Sequence, residues 1–140
     1  MAFTGNYTCN TFKAGLIAGN FNFATGTPDV YKIALYTDNA TLDETTASYT
    51  TNGEVVASGY TAGGIVLTPS IASSNNVSFV TFADVSWSAA LTARGALIYK
   101  VGGTNPAICV LDFGVDKTST TTFTIDFPPL AASEAIIRIN

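Results

Sequence analysis

The chain is written in short runs in which apolar and polar residues alternate, and most runs end at glycine, proline or asparagine. In Val30-Tyr31-Lys32-Ile33-Ala34-Leu35-Tyr36-Thr37, one side carries Tyr31, Ile33 and Leu35 and the other Lys32, Ala34 and Tyr36. In residues 121–127, Phe123, Ile125 and Phe127 alternate with Thr and Asp. A period of two sets such residues on one face of a strand, whereas a helix would scatter them around its circumference. The longest apolar stretches, such as residues 107–111, have strand length. They fall far short of the roughly 18 residues of a membrane-crossing helix.

Read in order, the chain opens with an extended arm over residues 1–9. The spacing then predicts one helix over residues 12–18, capped by Asn10 or Thr11 and stopped by Gly19, with Phe12, Leu16 and Ile17 on a shared face. A turn over residues 25–29 leads to a strand at 30–37. Residues 38–53 form a long polar loop, a length that points to function or to ordering by a partner. Strands are expected at 54–56, at 65–68 up to Pro69, and through 77–87 after a turn at Asn75-Asn76. Others follow at 94–101, 107–114, 121–127 and 135–139. About eight short strands with regular turn signals predict an all-β fold, an antiparallel β-sandwich of jelly-roll-like kind. It forms a single domain over residues 1–140, with the arm and short N-terminal helix in residues 1–20.

Composition narrows the chemistry. The chain is 47% hydrophobic and 11% charged and has no histidine, so no Ser-His-Asp or Cys-His site can be assembled within it. No Ser-x-x-Lys arrangement replaces one. The net charge of −4 and the scattered Lys13, Lys32, Arg94, Lys100, Lys117 and Arg138 argue against nucleic acid as a partner. The opening residues lack the basic start and long apolar core of a signal peptide, so synthesis in a host cytoplasm is expected. Cys9 and Cys109 are expected as separate buried thiols, the alternative being one disulfide. Without histidine they make no ordinary zinc site, and no cofactor is implied. The Asn-x-Ser/Thr triplets at Asn6, Asn39 and Asn76 fit chance in a chain rich in these residues.

Asp84, Asp112, Asp126 and Glu54 are the candidates for a glycosidase pair of carboxylates. Alternation places Asp112 and Asp126 on outward strand faces instead. Asp38, Asp43 and Glu44 share one loop without the spacing of a calcium loop. The glycine-rich stretch from Gly59 to Gly64 reads as a turn, not a phosphate cradle. The six Tyr and Trp87 include candidates for stacking on sugars, Trp87 and Tyr60 foremost, but alternation within strands assigns most of them to core or interface.

One string of motifs goes further. It comprises Phe21-Asn22-Phe23, the 30–37 run, Tyr49-Thr50-Thr51-Asn52-Gly53-Glu54-Val55 and Gly59-Tyr60-Thr61-Ala62-Gly63-Gly64. Thr92-Ala93-Arg94-Gly95-Ala96-Leu97-Ile98-Tyr99-Lys100, Leu111-Asp112-Phe113-Gly114 and Ala135-Ile136-Ile137-Arg138-Ile139 continue it. In this order the string resembles a family of small virion structural proteins of tailed bacteriophages. The resemblance spans nearly the whole chain. It implies a structural, non-enzymatic part of the particle and brings no catalytic residues.

The expected function is a capsid decoration (cement) protein on the outer surface of the virion. Its expected partner is the major capsid protein or another virion protein, in a homo-oligomer with a trimer favoured and without nucleic acid or membrane. The alternatives are a neck, collar or tail-fibre subunit, or a carbohydrate-binding module for host attachment. The expected partner-binding residues are Phe3 and Tyr7 of the arm, Phe12, Leu16 and Ile17 of the helix, and Leu42 and Tyr49 of the loop.

Overall fold

In a computed structural model of the chain, residues 3–24, 26 and 28–139 are described. The first two residues of the expected arm, and Thr25 and Thr27 of the expected turn, lie outside them. The elements run β1 (Tyr7–Thr8), α1 (Asn10–Ile17), β2 (Tyr31–Tyr36), β3 (Ile65–Leu67), β4 (Pro69–Ser74) and β5 (Val77–Phe82). They continue with β6 (Val85–Trp87), β7 (Thr92–Lys100), β8 (Ala107–Thr118), β9 (Phe123–Ile125) and β10 (Ile137–Ile139). Three antiparallel sheets result: β1-β8-β7-β2-β3, β10-β5-β4 and β6-β9.

The five-stranded sheet is the centre of the packing because its middle strands are apolar on both faces. The register sets Ile33 opposite Ile98 and Leu35 opposite Ala96, while Ala34 faces Leu97 and Leu97 faces Val110. Side chains of alternate residues leave opposite faces, so two cores form. One holds Tyr31, Ile33, Leu35, Ala96 and Ile98 under Phe12, Phe23, Phe82, Trp87 and Phe123, contributed by α1, the connection from α1 to β2, and the two smaller sheets. The other holds Ala34, Tyr36, Leu97, Tyr99 and Val110 under Phe3, Cys9, Ala40 and Leu42.

That second core corrects the reading of residues 38–53. The partner that orders this segment is the chain's own sheet. The Tyr36 hydroxyl donates to the Thr50 carbonyl at 2.6 Å, Thr37 N–H to Gly53 at 2.8 Å and Ala107 N–H to Ala47 at 3.0 Å. Leu42 fills space over the sheet and is fully buried. Burying such a side chain stabilises by ~1.5–3 kcal/mol.

Several boundaries also shift. Residues 54–56 form no strand: Glu54 makes one bridge to Tyr36, and Val56 stands in solvent. The expected single strand at 77–87 is two, β5 and β6, in different sheets, because the chain breaks at Ala83-Asp84. β4 begins at Pro69, where the sequence pattern predicts the end of a strand. It pairs Ser74 with Val77 across a turn in which Asn75 adopts φ 54°. Asparagine tolerates this left-handed conformation better than most residues. Helix α1 begins two residues early, with Cys9 at its N-cap and no side-chain capping bond.

Candidate functional site

The seven residues expected to meet a partner part company in the structure. Phe3 is 1% exposed and sits over Gly95 of β7, where a Cβ would overlap its ring. Phe12 is equally hidden, edge-on to Phe21 at a centroid distance of 4.9 Å. Gly15 gives Phe21 its room: a Cβ there would strike the Phe21 ring. Leu42 lies in the second core. Phe3, Phe12 and Leu42 are buried in the protein's own cores, Phe12 also lining the groove beside α1. Tyr49 is half-buried, stacked on Tyr99 at 4.8 Å. Tyr7 is half-buried too, its hydroxyl 2.6 Å from Thr4 Oγ1.

Leu16 and Ile17 behave otherwise. Leu16 is half-buried, and Ile17 is 90% exposed. An offset of five residues turns Ile17 about 140° from Phe12 on a helical wheel, so the two share no face. Both Leu16 and Ile17 line a groove of about 680 Å³ between α1 and β10. Ile136, Ile137 and Ile139 line it from the other side, and Lys13 and Arg138 are the charged side chains in its wall. A second hollow of about 230 Å³ shares Ile137 and Ile139 and is lined also by Ile71, Phe79 and Val80. The register sets Ile71 and Ile137 on either side of Val80. Apolar lining therefore continues from α1 across β10 to β4. Ile139 and Ile71 are 49% and 46% exposed. Contiguous exposed apolar surface of this kind marks sites where a protein meets another.

The sequence reading missed the β10 half of this groove. Its signal was the run Ile136-Ile137-Arg138-Ile139: adjacent isoleucines cannot all face one core from a single strand.

Of the four candidate acids, Glu54, Asp84 and Asp112 are engaged in hydrogen bonds within the fold. Glu54 is 7% exposed and ties together three residues of the connection between β2 and β3. Its carboxylate accepts from Tyr49 at 2.8 Å, from Tyr60 at 3.3 Å and from Gly63 N–H at 2.9 Å. Tyr60 in turn accepts from Leu35 N–H at 2.9 Å, and Tyr99 donates to the Gly63 carbonyl at 2.6 Å. Burial, and secondarily the Glu54 charge, raise the Tyr99 hydroxyl from 10.0 to about 12. Asp112 is not the solvated outward residue expected. Its side chain is largely covered, and Oδ1 lies 3.1 Å from Arg94 Nε while accepting from Gly114 N–H at 2.8 Å. Asp84 accepts from Phe127 N–H at 2.7 Å. Asp126 is exposed on a separate cleft of about 690 Å³ between β8 and β9.

Trp87 and Tyr60, the residues a sugar site would have used, are buried and pack on each other at 6.0 Å. Cys9 and Cys109 are both free and buried, and lie in different cores, one on each face of the central sheet. In the calcium-loop candidate, Asp38 pairs with Arg94 at 3.3 Å and Asp43 closes a local turn onto Thr45. Among the described residues no group of three or more Cys, Asp or Glu is placed to hold a metal ion. No helix of the described residues is long and apolar enough to cross a membrane. Comparison with protein-family models, curated proteins and solved structures finds no match.

Proposed function

We propose that this chain is a structural protein of a tailed-bacteriophage virion, a capsid decoration protein that binds the assembled major capsid lattice from outside and performs no catalysis. Its packed antiparallel sheets are read as a β-sandwich of jelly-roll-like kind. The sequence resemblance supports the class. The observation that carries the binding role is Ile17, almost fully exposed beside Leu16 and Ile139 in one concave apolar surface. A protein that binds the assembled lattice and not its dissociated subunits shifts the equilibrium toward assembly by mass action. Presentation of several grooves by a trimer adds effective concentration without strong single contacts.

A neck, collar or tail-fibre subunit would use the same surface, and copy number separates the two. Particles purified from the encoding phage should carry the chain in numbers that scale with the capsid lattice. A count near the symmetry of the neck or tail would move the protein there, and absence from the particle would end the reading. Deleting residues 1–20 is not a usable probe of attachment, because it removes Phe3, Cys9 and Phe12 from the cores.

A further inference from the structure

β10 is an edge strand. It ends the three-stranded sheet and pairs with β5 alone, Ile137 to Val80, Arg138 to Phe79 and Ile139 to Ser78. An antiparallel strand turns its N–H and C=O groups to both sides. Among the described residues no other backbone meets Ile137–Ile139 on the side away from β5. Such an edge is a template on which a further strand can form. Alongside it runs the groove, floored by Leu16, Ile17 and Ile136.

Charge selects the occupant. The ionisable side chains of the groove are Lys13 and Arg138, both exposed, in a chain whose net charge is −4. Arg138 is held over the surface by donating to the Ser133 carbonyl at 2.9 Å. Two cations concentrated beside an open edge favour an incoming segment with carboxylates.

We infer that the groove takes an extended segment of a partner protein, apolar at alternate positions and acidic at its flanks, which adds to the sheet as a strand beside β10. The inference rests on the reading of this chain as a protein that binds other proteins, and it names how and what.

Displayed random peptides of strand length, selected on the purified chain, provide the test. Enriched peptides should carry Asp or Glu beside alternating β-branched or aromatic residues and should shift the amide signals of residues 137–139. N-methylation of alternate peptide amides should weaken binding by ~10-fold or more, the cost of removing its backbone hydrogen bonds. Lys13→Glu combined with Arg138→Glu, both on exposed side chains, should redirect selection toward Lys- and Arg-bearing peptides. Several results would overturn the inference: no enrichment, basic or helical peptides on the unaltered chain, shifts away from α1 and β10, or indifference to N-methylation. Shifts at β10 produced merely by concentrating the chain would assign the groove to a second copy and overturn it equally. A chain that selects acidic strands but is missing from virions supports this inference and defeats the virion reading. A virion chain that selects none does the reverse.

Discussion

Phe3 and Ile17 show how far apart two apolar side chains of one short segment can be in role. Phe3 fills the space that Gly95 leaves open, so Phe3→Ala should cost ~3–5 kcal/mol, as for other buried phenylalanines. Ile17 is 90% exposed, so Ile17→Gln should change stability by no more than about 0.5 kcal/mol. Urea unfolding of both variants checks the contrast; equal losses would mean the assignment of inside and outside is wrong. The thiol at Cys9 gives a second residue-scale prediction. Burial above all, with the Asp43 charge adding and Lys13 opposing, pushes it from 9.0 up to about 12. A group that ionises later in the folded state holds its proton more tightly there. Its contribution is therefore complete below pH 9 and is lost as pH rises to about 12. Tyr99 adds to the same loss between its ordinary 10.0 and about 12. The urea midpoint should fall across pH 9–12, and a midpoint unchanged through that window would contradict the buried placement of these groups.

Among the elements, the β4–β5 hairpin depends on one backbone conformation. Asn75 sits at φ 54°, so Asn75→Val should destabilise by ~1–2 kcal/mol while Asn75→Gly stays near neutral. Thermal unfolding of the pair separates a conformational cost from a lost contact, since glycine removes the side chain altogether.

The elements also show what could be read in advance. β9 is legible from its alternation, and β2 and β7 from apolar, β-favouring runs of strand length bounded by turn residues. β4 is not, since Pro-Ser-Ile-Ala-Ser-Ser carries little apolar signal and owes its strand to pairing with β5. Val55-Val56 point in the opposite direction: the residues favour a strand, but their pairing stops at the Glu54–Tyr36 bridge and one bond from Val55 N–H to the Leu35 carbonyl. The arm and the long loop read as reaching segments in the sequence because covering the second face of a distant sheet leaves no periodic trace. Gly95, a glycine in the middle of a strand, was the available hint that something packs closely there.

At the scale of the whole molecule, both faces of the central sheet are covered from within the chain, and a continuous apolar lining runs along α1, β10 and β4. Half of the candidate surface was therefore legible, through Leu16 and Ile17. The other half depended on where the last strand docks, which local sequence does not encode. Replacing Ile17 and Ile139 together by Gln should leave the fold intact and weaken attachment to stripped particles by ~10-fold or more, the loss expected when two exposed anchors of an apolar contact are removed. Co-sedimentation reads this directly, and undiminished attachment would place the contact elsewhere.

The central claim is that the protein works by covering the surface of a larger protein assembly. Quantitative mass spectrometry of purified particles meets that claim most directly. The account predicts the chain as an abundant component, in fixed ratio to the major capsid protein. Its absence from particles that are otherwise complete would contradict the account.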